Sequence, residues 1–174
     1  MNDHPNRKPN RLPQYDYASA GAYFITFCTK DRARILSRVV PAGTDSIRPQ
    51  AQPFLSEFGD PFPCTVILTN EGQVVHHAIR SVSTHYPNIF VDRFVIMPNH
   101  VHLLLRITGE DGRMISAPTV IGSLKRYVTK SLGRSVWQKG FYDHIIRCEE
   151  DYALHCRYID ENPWKWILGD DQYA

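Results

Sequence analysis

The chain has 174 residues, of which 43% are hydrophobic, enough to bury one sizeable core and too few for two ordinary domains. Its formal net charge of +2 and its pI near 8.4 neither require nor exclude nucleic acid, and no apolar run approaches the length of a membrane-spanning helix. The 4 cysteines show no Cys-x-x-Cys pairing, which argues against a zinc ribbon or a disulfide framework. The N-terminal segment lacks the apolar core of a signal peptide, so we expect a cytoplasmic protein without membrane contact.

Two segments lack the periodicity of regular structure. Residues 1–13 are polar, basic and rich in proline, so we expect a flexible arm. Residues 14–168 are predicted to form one domain. Within that domain, prolines and a glycine interrupt residues 39–63, which predicts an irregular insertion followed by a short ribbon at 65–68.

The first half of the domain carries three strand patterns and one helix pattern. A dense aromatic and β-branched run at 23–28 predicts a central strand. Apolar spacing behind a cap at Thr69 or Asn70 predicts a helix that ends near 85–88. Residues 89–97 and the strand that follows them, ending near Ile107, predict an antiparallel hairpin.

The second half completes the order of elements. Residues 119–132 predict a helix closed by Gly133, residues 141–147 predict a strand, and residues 149–161 predict a helix stopped by Asn162 and Pro163. The order strand, helix, strand, strand, helix, strand is that of the ferredoxin-like α+β fold, a βαββαβ antiparallel sheet with helices on one face. A C-terminal helix is expected in addition.

Two histidines separated by one apolar residue, His100 and His102, lie inside the second strand of the hairpin. Alternation sends both imidazoles to one face and Val101 to the other. Such a pair can hold a divalent ion from one side and leave the other coordination positions open. Accidental alternation in a half-buried strand is the alternative, although the Pro98-Asn99 turn provides the rigid entry that two ligands in register need.

Tyr127 lies on the predicted helix at 119–132, flanked by Lys125, Arg126 and Lys130. A phenol is a weak nucleophile at neutral pH, and nearby cations favour phenolate and attract a phosphodiester. We therefore predict a reaction centre in which a metal on the histidine pair polarises a phosphate and Tyr127 attacks it. The alternative is a packing aromatic at helical spacing.

Several blocks of the chain resemble a single family. Residues 97–102, with the apolar run behind them, resemble the His-hydrophobe-His (HUH) signature of the single-tyrosine transposases of the insertion-sequence-200 kind. Five further blocks resemble the REP-associated branch of that family, in the same order along the chain: 11–17, 21–28, 123–127, 137–147 and 158–163. The resemblance covers most of residues 11–166.

The resemblance implies an endonuclease and strand transferase for single-stranded DNA that depends on Mg²⁺ or Mn²⁺. Its tyrosine, taken here as Tyr127, would cut beside a REP-like hairpin and leave a 5′-phosphotyrosine link and a free 3′-OH. The implied partner is single-stranded or hairpin DNA, bound by a monomer or a homodimer associated with the nucleoid.

The chain departs from the family at one position. Insertion-sequence transposases of this kind often carry a glutamine one helical turn beyond the tyrosine as a further metal ligand, and this chain has Ser131 there. We predict His144 as the replacement ligand. Alternation places it on the same face as Tyr142, whose polar tip suits a cleft, whereas the neighbouring Asp143 shares its face with apolar residues.

DNA contacts are predicted for the basic residues of the arm and of the tyrosine helix: Arg7, Lys8, Arg11, Lys125, Arg126 and Lys130.

Two other functions stay open. One is a catalytically idle ferredoxin-like module in which aromatic residues stack nucleic-acid bases. The other is a plasmid relaxase or replication initiator, which shares the His-hydrophobe-His chemistry and would usually be longer.

Overall fold

The computed structural model describes residues 19–41, 64–109 and 115–171. The predicted arm at 1–13, with Arg7, Lys8 and Arg11, lies outside the described residues, as does most of the proline-rich insertion. None of the helices in the described part of the chain is long and apolar enough to cross a membrane.

The described residues form strands and helices in a mixed order, with a short 3-10 turn at Lys30–Arg32 after the first strand. The strands are β1 (Gly21–Cys28), β2 (Ser37–Pro41), β3 (Cys64–Leu68), β4 (Ile89–Ile96), β5 (His100–Ile107) and β6 (Tyr142–Ile146). The helices are α1 (Asn70–Arg80), α2 (Val82–His85), α3 (Ala117–Leu132) and α4 (Glu149–Leu168).

A four-stranded antiparallel sheet in the order β4-β5-β1-β6 is the centre of the fold. Strand β1 is an interior strand, as its aromatic and β-branched run predicted. The predicted helix starts are also observed: Thr69 caps α1 by accepting a hydrogen bond from the Gly72 N–H at 3.1 Å. The α+β fold predicted from the order of elements is confirmed.

The two faces of the sheet are covered by different helices. Val101, Leu103 and Leu105 of β5 belong to the main hydrophobic cluster together with the buried residues of α1 and α3. Leu104 points to the other face, where it clusters with Cys156 and Ile159 of α4. Because side chains alternate along a strand, His100 and His102 share the face of Leu104 and lie under α4.

Helix α4 does not stop at Asn162 and Pro163, so the predicted end at residue 161 is wrong. The helix continues through Pro163 to Leu168 and ends at Gly169, which adopts a left-handed φ of 79°. A proline inside a helix removes one hydrogen bond and costs about 3 kcal/mol. Here burial offsets that cost, because Pro163 is buried and Trp166 packs against the cluster beneath α4.

A ribbon formed by β2 and β3 borders α4. Val39 pairs with Val66 in this ribbon, and both side chains pack against the cluster under α4. Residues 39–41, predicted to begin the irregular insertion, are therefore part of a regular strand. The remainder of the insertion lies outside the described residues.

Candidate active site

The histidine pair is fully enclosed between the sheet and α4. The side chains of His100 and His102 are 0% exposed, and their ring centroids lie 4.6 Å apart. Burial lowers the pKa of His100 to about 3 and holds the pKa of His102 well below its usual value. Both imidazoles are therefore neutral at physiological pH, the protonation state in which histidine can act as a metal ligand.

His102 is held in place by its neighbours on β1. Its Nδ1 hydrogen-bonds the hydroxyl of Thr26 at 2.6 Å, and its ring stacks on Phe24 with centroids 5.2 Å apart. Thr26 lies directly opposite His102 in the register of β1 and β5. An Nδ1–H that donates to the threonine oxygen leaves the Nε2 lone pair available to a ligand.

His100 faces two amide oxygens. Its Nδ1 lies 2.7 Å from Oδ1 of Asn99, and its Nε2 lies 3.3 Å from Oδ1 of Asn162 on α4. A neutral imidazole carries a single N–H and can donate to only one of them. When Nδ1 donates to Asn99, the Nε2 lone pair points at the lone pairs of Asn162.

A cation would stabilise that arrangement. Within the described residues, Nδ2 of Asn162 is buried without a hydrogen-bond partner, and a buried carboxylate oxygen of Asp171 lies 3.7 Å from Nε2 of His100. Two neutral imidazoles, an amide oxygen and a carboxylate supply donor atoms suited to Mn²⁺ or Mg²⁺. These donor types suit a divalent ion, and because the ligand atoms of His100, His102 and Asp171 do not all lie within 4.8 Å of one another, binding one ion would require the side chains to move closer together. Asn162 and Asp171 join the histidines as candidate ligands that the sequence patterns did not single out.

A tyrosine of α4 lies beside the histidine pair. The ring of Tyr158 contacts His102 edge-on, with centroids 5.2 Å apart and planes at 73°, and also meets Phe24 edge-on at 5.7 Å. Asn162 follows Tyr158 by four residues, so both side chains point to the same side of the helix. One helical face thus presents a phenol and an amide to two neutral imidazoles.

A cavity of about 420 Å³ opens next to Tyr158, a size within the range of small-ligand sites. Four rings line it, together with one aliphatic, one anionic and two cationic side chains: Phe24, Tyr142, His155, Tyr158, Leu154, Glu161, Arg157 and Lys165. The Lys165 ammonium lies 5.1 Å from the centroid of the Tyr158 ring and pairs with Glu161 at 3.0 Å. Aromatic walls with cations at the rim match the needs of a nucleotide, which offers a flat base and an anionic phosphate.

Comparison with known proteins identifies relatives, although no family model matches the chain. An uncharacterized protein of Haemophilus influenzae is 28% identical over 184 residues, covering 92% of this chain and 90% of that protein. The REP-associated tyrosine transposase of Escherichia coli K12 is 32% identical over 104 residues, covering 58% of this chain and 61% of that protein. A second Haemophilus influenzae protein, which is named as a REP-associated tyrosine transposase, is 24% identical over 165 residues. This match covers 86% of this chain and 74% of that protein. The chain is similar in sequence to REP-associated tyrosine transposases.

One solved structure shows a similar fold. A REP-associated tyrosine transposase bound to a REP hairpin matches with a TM-score of 0.61 at 23% identity, covering 90% of this chain and 74% of that chain. At this level of identity the match shows a common fold. It agrees with the ferredoxin-like sheet observed here.

The predicted nucleophile Tyr127 does not meet the histidine pair. Helix α3 covers the face of the sheet to which Val101 points, so the sheet separates Tyr127 from His100 and His102. Tyr127 is 46% exposed, and its ring lies 6.3 Å from that of His77 on α1. Tyr127 and the histidine pair therefore do not form a common site within one chain, and the nucleophile role of Tyr127 stays a prediction.

The basic residues around Tyr127 share its position on α3. Lys125 donates to the backbone carbonyls of Gln138 and Gly140, both at 2.7 Å, and so fixes the turn before β6. Arg126 donates to the Ser123 hydroxyl at 3.0 Å. DNA contacts by Lys125, Arg126 and Lys130 stay a prediction, and these contacts would lie across the sheet from the histidines.

His144, predicted as the third ligand, also lies apart from the pair. Its Nε2 lies 2.9 Å from Oδ2 of Asp151, at the N-terminal end of α4. In the sheet Phe24 pairs with His144 on one side and with Leu104 on the other, and the Phe24 ring stacks against His102. Phe24 thus lies between His144 and His102, so the structure does not bring His144 to this pair, and the ligand role of His144 stays a prediction.

A signal that points to Tyr158 was present in the sequence. Ser131 made the segment around Tyr127 depart from the family pattern of a tyrosine followed by an amide one helical turn later. Tyr158 and Asn162 satisfy that pattern, inside the block 158–163 that already resembled the family. The expected helix end at Asn162 concealed it, because a helix that stops there gives Asn162 no defined helical face.

Proposed function

We propose that this chain cuts and rejoins single-stranded DNA at hairpins of the REP type, with Tyr158 as the nucleophile. The observation that carries the proposal is the contact between Tyr158 and His102, with Asn162 of the same helical face at His100. The proposal also rests on the kinship with transposases that include a protein solved with a REP hairpin. One chain supplies both the tyrosine and the histidines, so a monomer contains the whole site.

In the proposed reaction the Tyr158 hydroxyl oxygen attacks the scissile phosphorus. The new bond joins phosphorus to the phenolic oxygen, and the bond from phosphorus to the 3′-oxygen of the preceding nucleotide breaks. The phenolic proton leaves with the solvent, and the departing 3′-oxygen takes up a proton to become a free 3′-OH. The products are a 5′-phosphotyrosine and a strand end that can attack it in the reverse step, which rejoins DNA.

His100, His102 and Asn162 are the residues that would hold a divalent ion, Mg²⁺ or Mn²⁺, with Asp171 as a further anionic ligand. Such an ion, when bound, neutralises charge on the phosphoryl oxygens, which a phenol needs in order to attack an anionic diester. Thr26 fixes the His102 ring through its 2.6 Å hydrogen bond and keeps Nε2 directed at the site. Helix α4 and the sheet exclude water from the histidines, as their zero exposure shows.

We further propose that the cavity beside Tyr158 receives the nucleotide next to the scissile phosphate. Its aromatic walls offer stacking surfaces, and Arg157 and Lys165 are placed to neutralise the phosphate. A base in this cavity would bring its own phosphodiester to the phenol. The cavity would therefore both bind the nucleotide and position its phosphodiester at Tyr158.

Strand cleavage of a 5′-labelled single-stranded hairpin substrate in Mn²⁺ tests the proposal. Tyr158→Phe is expected to abolish cleavage and the covalent adduct while hairpin binding stays near the wild-type level, because only one hydroxyl is lost. Tyr127→Phe is the matched control and is expected to cleave normally. Hairpin binding by the wild-type chain without any cleavage would instead support a catalytically idle binding module.

A further inference from the structure

A second group of ligand atoms lies at the junction of β6 and α4, apart from the buried histidine pair, and one of its members, His155, also lines the cavity beside Tyr158. Among the residues that the structure describes, His144, Asp151 and His155 each bring one ligand atom within 4.8 Å of the other two. Nε2 of His144 lies 2.9 Å from one carboxylate oxygen of Asp151, and Nδ1 of His155 lies 3.1 Å from the other. The two imidazole rings are stacked, with centroids 4.7 Å apart and planes at 19°.

These distances suit a single metal ion. Zinc binds imidazole nitrogen and carboxylate oxygen at about 2.0–2.2 Å, so adjacent ligands of a tetrahedral ion lie roughly 3.3 Å apart. The observed separations of 2.9 and 3.1 Å involve the two different oxygens of Asp151, and the three ligand atoms lie within 4.8 Å of one another, so one ion would require the side chains to adjust around it. Two imidazoles and one carboxylate leave coordination positions open, and imidazole ligands favour Zn²⁺ over Mg²⁺.

Solvent can reach the group. The side chains of His144, Asp151 and His155 are 38%, 19% and 17% exposed, so an ion can enter without opening the fold. The group also lies apart from the histidine pair, because the Phe24 ring is 5.2 Å from His102 and 4.6 Å from His155.

Hydrogen bonds account for part of this arrangement without a metal. Asp151 accepts from the backbone N–H of Arg147 at 3.2 Å, and Nδ1 of His155 lies 2.8 Å from the carbonyl oxygen of Asp151. These contacts explain the position of Asp151 in the first turn of α4. These hydrogen bonds do not explain why the imidazole of His144, on β6, also approaches the carboxylate of Asp151.

We propose that His144, Asp151 and His155 form a second divalent-metal site with a preference for Zn²⁺. The ion joins β6 to the first two turns of α4, the helix that carries Tyr158 and Asn162. Its binding stabilises the position of that helix against the sheet. Metal binding at this site can be measured without DNA, so its test does not depend on the proposed nuclease activity.

Competition for Zn²⁺ with a chromophoric chelator, on the full chain, tests the proposal. His144→Gln and Asp151→Asn are each expected to lose one bound Zn²⁺ per chain. The amide oxygen that Asp151→Asn introduces can still accept the Arg147 N–H, so this variant preserves the helix cap while removing the charge. The matched control is His77→Gln, at an exposed histidine of α1, and it should bind zinc as the wild type does. Unchanged zinc stoichiometry in both site variants would reject the site.

The absorption of bound Co²⁺ provides a second measurement on the same chains. We expect visible d–d bands from the wild-type chain and from His102→Gln, and loss of these bands in His144→Gln. Loss of the bands in His102→Gln with retention in His144→Gln would assign the ion to the buried pair and overturn the proposal. A failure of strand cleavage by Tyr158→Phe or by the wild type has no bearing on either measurement.

Discussion

The ring of Tyr158 lies edge-on to the imidazole of His102, with centroids 5.2 Å apart. This relationship joins the C-terminal helix to the interior of the sheet, on the face opposite to α1 and α3. It assigns different tasks to the two faces. One face contains the main hydrophobic cluster, and the other contains the histidine pair and Asn162 beside the second cluster.

Thr26 is expected to set the metal affinity of the histidine pair. Thr26→Val keeps the side-chain volume nearly constant and removes the hydroxyl that hydrogen-bonds Nδ1 of His102. Loss of such a supporting hydrogen bond weakens metal binding by about 10- to 100-fold. The Mn²⁺ concentration for half-maximal cleavage should rise accordingly, with saturating activity retained. An unchanged Mn²⁺ requirement would show that Thr26 supports only the fold.

Asn162 is expected to lower the Mn²⁺ concentration that cleavage requires, through its amide oxygen. Asn162→Ala removes the oxygen that faces Nε2 of His100 and should raise the Mn²⁺ requirement. Asn162→Asp retains an oxygen at that position and adds a negative charge, so it should bind Mn²⁺ at least as well as the wild type. The two variants can be compared by titrating Mn²⁺ in the cleavage assay. Equal losses in both would point to a packing role for Asn162.

Acid should destabilise the fold through the histidine pair. Burial depresses the pKa of His100 from 6.5 to about 3, so the unfolded chain binds a proton that the folded chain does not bind between these values. Stability from this source is fully present above pH 6.5 and is lost as the pH falls towards 3. Denaturant unfolding at pH 7.0 and 5.0 measures the loss. His100→Asn should lose less stability between these pH values than the wild type, and an equal loss would contradict the buried neutral state.

The cations at the cavity rim are expected to bind the DNA backbone. Lys165→Ala should weaken hairpin binding and reduce the slope of log K against log salt by about one, because one phosphate contact is lost. Lys130→Ala, on the opposite side of the sheet, is the comparison. Hairpin binding of the two variants is measured at several salt concentrations, and the slopes are compared. A larger change in slope for Lys130→Ala would place the DNA on the α3 side instead.

Local sequence patterns were sufficient to predict most of the fold and the shared face of His100 and His102. The run at 23–28 predicted an interior strand, and alternation placed His100 and His102 on one face, because both patterns depend on neighbouring residues alone. The position of α3 could also have been inferred. In β5, Val101, Leu103 and Leu105 form a wholly apolar face, and an apolar face is the one that the connecting helices of a βαββαβ fold cover.

The remaining errors arose where tertiary packing overrides local preference. Pro163 normally marks the end of a helix, and here burial of α4 against the second cluster carries the helix past it. No local sequence pattern predicts the burial of α4. The contact of Asn162 with His100 joins residues 62 positions apart, and the approach of Asp171 to His100 depends on the same helix extension.

The most direct test is to find which tyrosine carries DNA after cleavage. Trypsin cuts after Arg126 and after Arg157, so Tyr127 and Tyr158 fall in separate peptides, 127–130 and 158–165. Single-stranded hairpin DNA is incubated with the wild-type chain and Mn²⁺, the adduct is digested with nuclease and trypsin, and the peptides are identified by mass spectrometry. We expect the residual nucleotide mass on the peptide that contains Tyr158. Nucleotide mass on the peptide that contains Tyr127 would contradict the proposed site.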